Sequence, residues 1–124
     1  MLKEQQLRWA YQKYWVMAHS QQSYNEIRQL FKNNTWSLAK EQELARILAD
    51  TQNKVPTVKT LTTAYQHVWG YFKKKCTPAE KQHYLTLLAN LTEDNDELGP
   101  YLKQLTIKYQ IAYLLDSRLI QEIS

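Results

Sequence analysis

The feature that most constrains this chain is how few of its residues can break a helix. Its 124 residues include two glycines and three prolines. An all-β fold of this length needs a turn after every strand or two, and turns draw heavily on these residues. Their scarcity predicts helices joined by short connections. Apolar residues make up 44% of the chain, enough for one core, and the length leaves no room for a second. We expect a single all-α domain over residues 1–124, a compact bundle of five to six helices.

Apolar residues spaced by three and four locate those helices. The first covers about residues 2–18, with Leu7, Ala10, Tyr11, Tyr14 and Ala18 as its inward stripe. A second covers about residues 24–32, with Tyr24, Ile27, Leu30 and Phe31 inward, and stops at Asn33-Asn34. A third starts near Trp36, capped by Thr35 or Ser37, and carries Leu38, Leu44, Ile47 and Leu48 to about residue 50. The fourth begins at Pro56 or Thr57 and continues to about residue 75, burying Val58, Leu61, Tyr65, Val68 and Phe72. Thr77-Pro78-Ala79-Glu80 reads as a capping box that opens a fifth helix reaching about residue 91. Beyond the acidic residues 93–97, Leu98-Gly99-Pro100 opens a last helix to about residue 115, with a short tail over residues 118–123. That last helix is apolar on two sides, with Leu102, Leu105, Tyr109 and Ala112 on one and Ile107, Ile111 and Leu114 on the other. It is either central in its own bundle or offers its second face to another copy, as in a homo-oligomer.

Several function classes are excluded by what is missing. No run approaches the roughly 18 consecutive apolar residues of a membrane span. The polar stretch from Met1 to Gln6 lacks the apolar core of a secretion signal, which points to the cytoplasm. The single cysteine, Cys76, rules out an internal disulfide and a thiolate cluster for zinc or iron–sulfur. His19, His67 and His83 lie at no metal-binding spacing, and no phosphate-loop, nucleophile-elbow or zinc-protease motif occurs. We therefore expect no metal and no cofactor.

Charge is unevenly spread. The total is +4, but residues 1–92 carry a net +7 and residues 93–124 a net −3. The densest basic stretch is Lys73-Lys74-Lys75. Lysines ending a helix complement its dipole without any partner, and they equally form a phosphate-contacting patch. Winding the fourth helix at about 100° per residue gathers Thr60, Thr63, His67, Gly70, Tyr71 and Lys74 on the side away from its apolar stripe. A glycine inside a helix costs about 1 kcal/mol relative to alanine. A close helix crossing or a ligand approaching the backbone are the two readings of that cost. The first helix has a weaker counterpart in Arg8, Gln12, Trp15 and His19, where His19 is either a helix-end cap or part of a ligand face.

Two blocks carry a family likeness. Lys13-Tyr14-Trp15-Val16-Met17-Ala18-His19-Ser20, followed by Tyr24 and Leu30, resembles the first signature of the YbgA-like family, a bacterial family of unknown function. Tyr65-Gln66-His67-Val68-Trp69-Gly70-Tyr71-Phe72-Lys73-Lys74 resembles its second, and Gly99-Pro100-Tyr101-Leu102 resembles the start of its last helix. The chain departs from the pattern near Thr63, where the family has asparagine, at Lys108-Tyr109, where it has His-Tyr, and in a short C-terminal extension. The resemblance implies a domain that occurs alone or fused to a cysteine-rich desulfidase, which removes sulfur from thiouracil or from thiouridine in transfer RNA. In such fusions the helical part assists RNA binding. With one cysteine this chain does not carry the cluster itself.

Three functional readings follow. The first is a non-catalytic module binding transfer RNA or another RNA and assisting a desulfidase partner. Its residues are His19, Ser20, Thr63, His67, Gly70, Tyr71, Lys73, Lys74 and Lys75, with Arg8, Gln12 and Trp15 secondary. The second is a structural or oligomerisation module. The third is a small enzyme using His19 or His67 as acid or base.

Overall fold

The computed structural model describes residues 1–124. They form eight α-helices and a short 3₁₀ turn, without a strand. The helices are α1 (Leu2–His19), α2 (Gln21–Leu30), α3 (Leu38–Gln52), α4 (Val58–Trp69), α5 (Pro78–Ala89), α6 (Leu98–Tyr109), α7 (Ala112–Leu115) and α8 (Arg118–Glu122), with the 3₁₀ turn at Lys32–Asn34. The expected five to six long helices are thus divided further. α1 packs most extensively on α4 and also meets α2, α3 and α8. Its residues Tyr14, Trp15, Val16, Met17 and Ala18 are all buried. Five consecutive buried positions mean that this half of α1 is enclosed on every side. No helix is long and apolar enough to cross a membrane.

The apolar stripe expected on α1 is only half right. Leu7 is 66% exposed and Tyr11 37%. In the first half of α1 the covered residues are instead Gln5, whose amide reaches Glu41 of α3 at 3.3 Å, and Trp9, whose ring lies 5.7 Å from that of Tyr24 in α2. Leu7 and Tyr11 lie on the other side of the helix, where they line a shallow depression with Ala10, Tyr113 and Asp116. Leu38, also expected inward, is exposed at the first turn of α3.

Helix ends follow local chemistry. Ser20 ends α1 and caps α2, accepting the Ser23 N–H at 3.1 Å, while the Lys54 ammonium donates to the Ser20 and Ser23 hydroxyls at 3.3 and 3.0 Å. Ser37 caps α3, and Thr57 with Thr60 forms a capping box on α4. The capping box of Thr77 and Glu80 on α5 is present as expected. Glu80 does more than cap. Its carboxylate accepts from the Lys108 ammonium at 2.6 Å and the Tyr109 hydroxyl at 2.5 Å, clasping α5 to α6. Lys108, then Tyr109, then the Thr77 N–H hold the Glu80 carboxyl down at about 2. A second tie lies at the start of α6. Asp96 accepts the Gly99 N–H at 2.9 Å with one oxygen and the buried Tyr65 hydroxyl at 2.5 Å with the other. Burial, and then this bond to Asp96, push the Tyr65 hydroxyl well above the ordinary tyrosine range.

The last helix was expected to reach residue 115, but it stops at Tyr109. Gln110 is left-handed, with φ 52°. The Gln110 N–H bonds back to the Ile107 carbonyl and the Ile111 N–H to that of Thr106, a Schellman closure. The bend turns Ile111 and Leu114 into the core, so the second apolar face expected on this helix is largely buried and Ile107 alone stays open, at 51%. The driving gain is burial of two large side chains, each worth about 1.5–3 kcal/mol. This exceeds the roughly 1–2 kcal/mol that a non-glycine residue loses in the left-handed region.

Two outcomes test these local arguments. Gln110→Gly is expected to stabilise the protein by about 0.5–1 kcal/mol in chemical denaturation, because it relieves the left-handed residue. A carboxylate held below its unfolded value contributes stability at neutral pH and loses it on acidification. Melting temperature should therefore fall as pH drops from 4.5, the unperturbed value for Glu80, toward about 2. Glu80→Gln should flatten that segment of the profile.

Candidate nucleic-acid interface

The polar face of α4 forms an open groove. Thr63, Gln66, His67, Gly70 and Lys73 line about 350 Å³ of space. Their spacing of three and four places them on one ridge of the helix. No lining residue is acidic. Gln66 joins the residues named from sequence; it stands one turn before Gly70 and three residues after Thr63, so winding alone puts it there. Thr63 donates its hydroxyl to the Lys59 carbonyl at 3.0 Å, so in the groove it can still accept a hydrogen bond. Thr60 is occupied by the capping box.

Gly70 is not a helix crossing. A Cβ built there meets only the His67 carbonyl of its own helix, at 3.1 Å. Its φ of −52° needs no glycine either. It sits at the helix end rather than inside it, and the chain beyond it tightens. Tyr71, Phe72 and Lys75 bond to the residue three before each of them, not four. That tightening swings Phe72 into the core, where it is fully buried, and ends α4 six residues earlier than the sequence pattern predicts. It also leaves Lys73, Lys74 and Lys75 exposed on a turn rather than on a helix end, and none of them has an ion-pair partner.

A tyrosine cluster supports the groove from the α1 side. The Tyr14 and Tyr71 hydroxyls share a hydrogen bond of 2.9 Å. The Tyr71 ring stacks on Tyr113 at 5.9 Å, and the His67 ring lies 6.5 Å from Tyr14. Burial first, then the bond to Tyr71, hold the Tyr14 hydroxyl protonated far above the ordinary tyrosine range. Tyr71 is therefore half-buried within this cluster and, unlike the expectation from winding, does not line the groove. The sequence gives no sign of Tyr14 or Tyr113 here, since each meets Tyr71 only through the fold.

The α1 residues lie elsewhere. The Nδ1 of His19 pairs with the Trp15 carbonyl at 2.7 Å, and its ring packs on Trp15. The Arg118 guanidinium covers the Trp15 ring at 3.7 Å and donates to Gln12 at 2.9 Å. Ser20 is buried in its cap. Arg8 is exposed. His19 packs on Trp15 and His67 beside Tyr14, and about 140° of helix rotation separates His19 from Tyr14. No three metal-ligating side chains converge anywhere in the chain.

The two glycines should respond differently to alanine. Gly70→Ala suits the backbone dihedrals but needs the His67 carbonyl to give by a few tenths of an ångström, and is expected to change stability by less than about 1 kcal/mol. At Gly99 a Cβ would stand 2.7 Å from the Tyr65 hydroxyl. Gly99→Ala should displace that hydroxyl from Asp96 and destabilise the protein by about 1.5–3 kcal/mol, measured by urea unfolding.

Comparison with known proteins gives one match. A family model described as a protein of unknown function (DUF1722) matches residues 13–123, in keeping with the YbgA-like resemblance of the two sequence blocks. No curated protein and no solved structure matches the chain.

Proposed function

We propose a function from one premise: the chain belongs to the DUF1722 family of proteins of unknown function. Our reading is a non-catalytic helical module that binds RNA, with transfer RNA as the substrate. It assists a partner protein that carries thiouridine or thiouracil desulfidase chemistry. The observation that carries the RNA part is the run Lys73, Lys74 and Lys75, exposed and without ion-pair partners, of which Lys73 lines a groove without a carboxylate. Ammonium groups without partners attract phosphate, and Thr63, Gln66 and His67 offer hydrogen bonds to ribose or base edges. Gly70 keeps the groove floor low enough for a backbone to approach. The desulfidase part rests on the family resemblance alone. The absence of a carboxylate oriented on either His19 or His67 weighs against acid–base catalysis.

A second reading has one observation in its favour. Leu7, Ala10, Tyr11 and Tyr113 leave an apolar depression open on the α1 side, a surface suited to a protein neighbour. It adds to the contact expected through the last helix, where Ile107 and Tyr113 stay exposed. Sedimentation at tens of micromolar separates the cases: a monomer removes self-association and leaves the depression to a different protein.

The RNA reading predicts binding of fluorescent transfer RNA that weakens steeply with salt, because each lysine–phosphate contact releases counterions. Replacing all three lysines (K73Q/K74Q/K75Q) should lower affinity by about tenfold or more and reduce the salt slope by about 2–3. Gly70→Ala should also weaken binding while the protein melts as before. Transfer RNA that does not bind at low salt ends this reading.

A further inference from the structure

A second depression lies where α1, α2 and the 3₁₀ turn meet. It encloses about 660 Å³ and is lined by Trp9, Asn25, Arg28, Gln29, Phe31 and Lys32. Three of the rings in and behind it are nearly parallel. Phe31 stacks on Trp36 at 4.7 Å and 24°, and Trp9 faces Phe31 at 6.3 Å and 16°. The chain reversal that returns Trp36 onto Phe31 uses two successive left-handed residues, Asn33 at φ 67° and Asn34 at φ 53°. Asparagine tolerates this region better than most residues, yet two in succession remain costly. The reversal also leaves the Trp36 indole N–H buried without an acceptor. The rings pack against the core on one side and stay only partly buried, which leaves part of their surface toward the depression.

The charges beside the rings are unspent. The chain's ion pairs use Arg46, Lys108 and Arg118, and neither Arg28 nor Lys32 takes part. Arg28 stands over the Tyr24 ring at 5.9 Å instead. Asn25 and Gln29 add two amides, each both donor and acceptor. Flat apolar rings, neutral amides and two free cations within one depression match the three parts of a nucleotide: a base to stack, a base edge to hydrogen-bond and a phosphate to neutralise. An acidic peptide would satisfy the cations and leave the rings unused. A base paired within a duplex cannot present its face to them.

We propose that the depression lined by Trp9, Phe31, Arg28 and Lys32 holds an unpaired nucleotide of a single-stranded RNA segment. This deepens the RNA-binding reading and rests on it. Duplex RNA engages the α4 groove through its phosphates, while the aromatic depression selects for a strand whose bases are free.

The test uses the full chain with four probes: fluorescent hexaadenylate, fluorescent transfer RNA, a blunt RNA duplex and adenosine monophosphate as competitor. The variants are R28Q/K32Q, whose side chains are exposed, and Trp9→Leu, with thermal melts confirming the fold. The expected result is that each weakens hexaadenylate binding by about tenfold, the usual worth of a stacked base or its phosphate contacts, and leaves duplex binding within about twofold. Hexaadenylate bound equally well by wild type and R28Q/K32Q overturns the proposal. So does adenosine monophosphate competing at concentrations as low as unlabelled hexaadenylate, which makes the pocket a mononucleotide site. Transfer RNA bound without regard to R28Q/K32Q overturns this proposal alone, whereas loss of all RNA binding at low salt overturns the RNA reading with it.

Discussion

The enclosure of residues 14–18 of α1 is the constraint on which the rest of the structure depends. Five consecutive side chains without solvent require neighbours on every side, and α2, α3, α4 and α8 supply them. That arrangement fixes how α4 is rotated. With Ala64, Tyr65, Val68 and Phe72 buried, Thr63, Gln66, His67 and Gly70 are left to form the outer ridge. The hydrogen bond between Tyr14 and Tyr71 marks the seam, and Tyr65 with Asp96 and Gly99 ties the other side of α4 to α6. The candidate surface is thus the remainder after the core is satisfied, held on two sides by tyrosine hydroxyls.

Two features show how polar groups sharpen a packing of this kind. Glu80 ends three demands at once, capping α5 and accepting from two residues of α6. Lys108, which stands where the resembled pattern has His, and Tyr109, which matches it, are the residues that reach it. Their place in this chain is therefore a clasp between helices. Arg118 works likewise on the other flank, covering Trp15 and reaching Gln12, so two of the four residues that look like a ligand face in the sequence are engaged by α8, while Arg8 stays exposed.

The all-α fold and most helix starts are legible in the sequence because they rest on local chemistry: few breakers, apolar spacing, and hydroxyl caps at Ser37 and Thr77. The cap at Thr57, which the sequence pattern places inside the first turn with Pro56, emerges only in the structure. The ridge of α4 is legible for the same reason, since it follows from winding one helix. What escapes the sequence is set by distant parts of the chain. Nothing local marks Gln110 as left-handed, and the break there depends on the core receiving Ile111 and Leu114. Tyr14 and Tyr71 are remote in sequence, and their contact appears only when α1 and α4 cross. The early end of α4 is an intermediate case. Gly70 hints at it, but burial of Phe72 decides it. The aromatic depression combines both kinds, with Asn33-Asn34 readable as a break and the stacking across it not.

The central claim is that the ridge ending in Lys73, Lys74 and Lys75 is an RNA-binding surface. Amide chemical-shift mapping of the isotope-labelled chain, titrated with transfer RNA at low salt, tests it most directly. The account predicts that the largest shifts fall between Thr63 and Lys75, and that they fade as salt is raised. Shifts confined to the apolar depression around Leu7, Tyr11 and Tyr113, or no shifts at all, would contradict it.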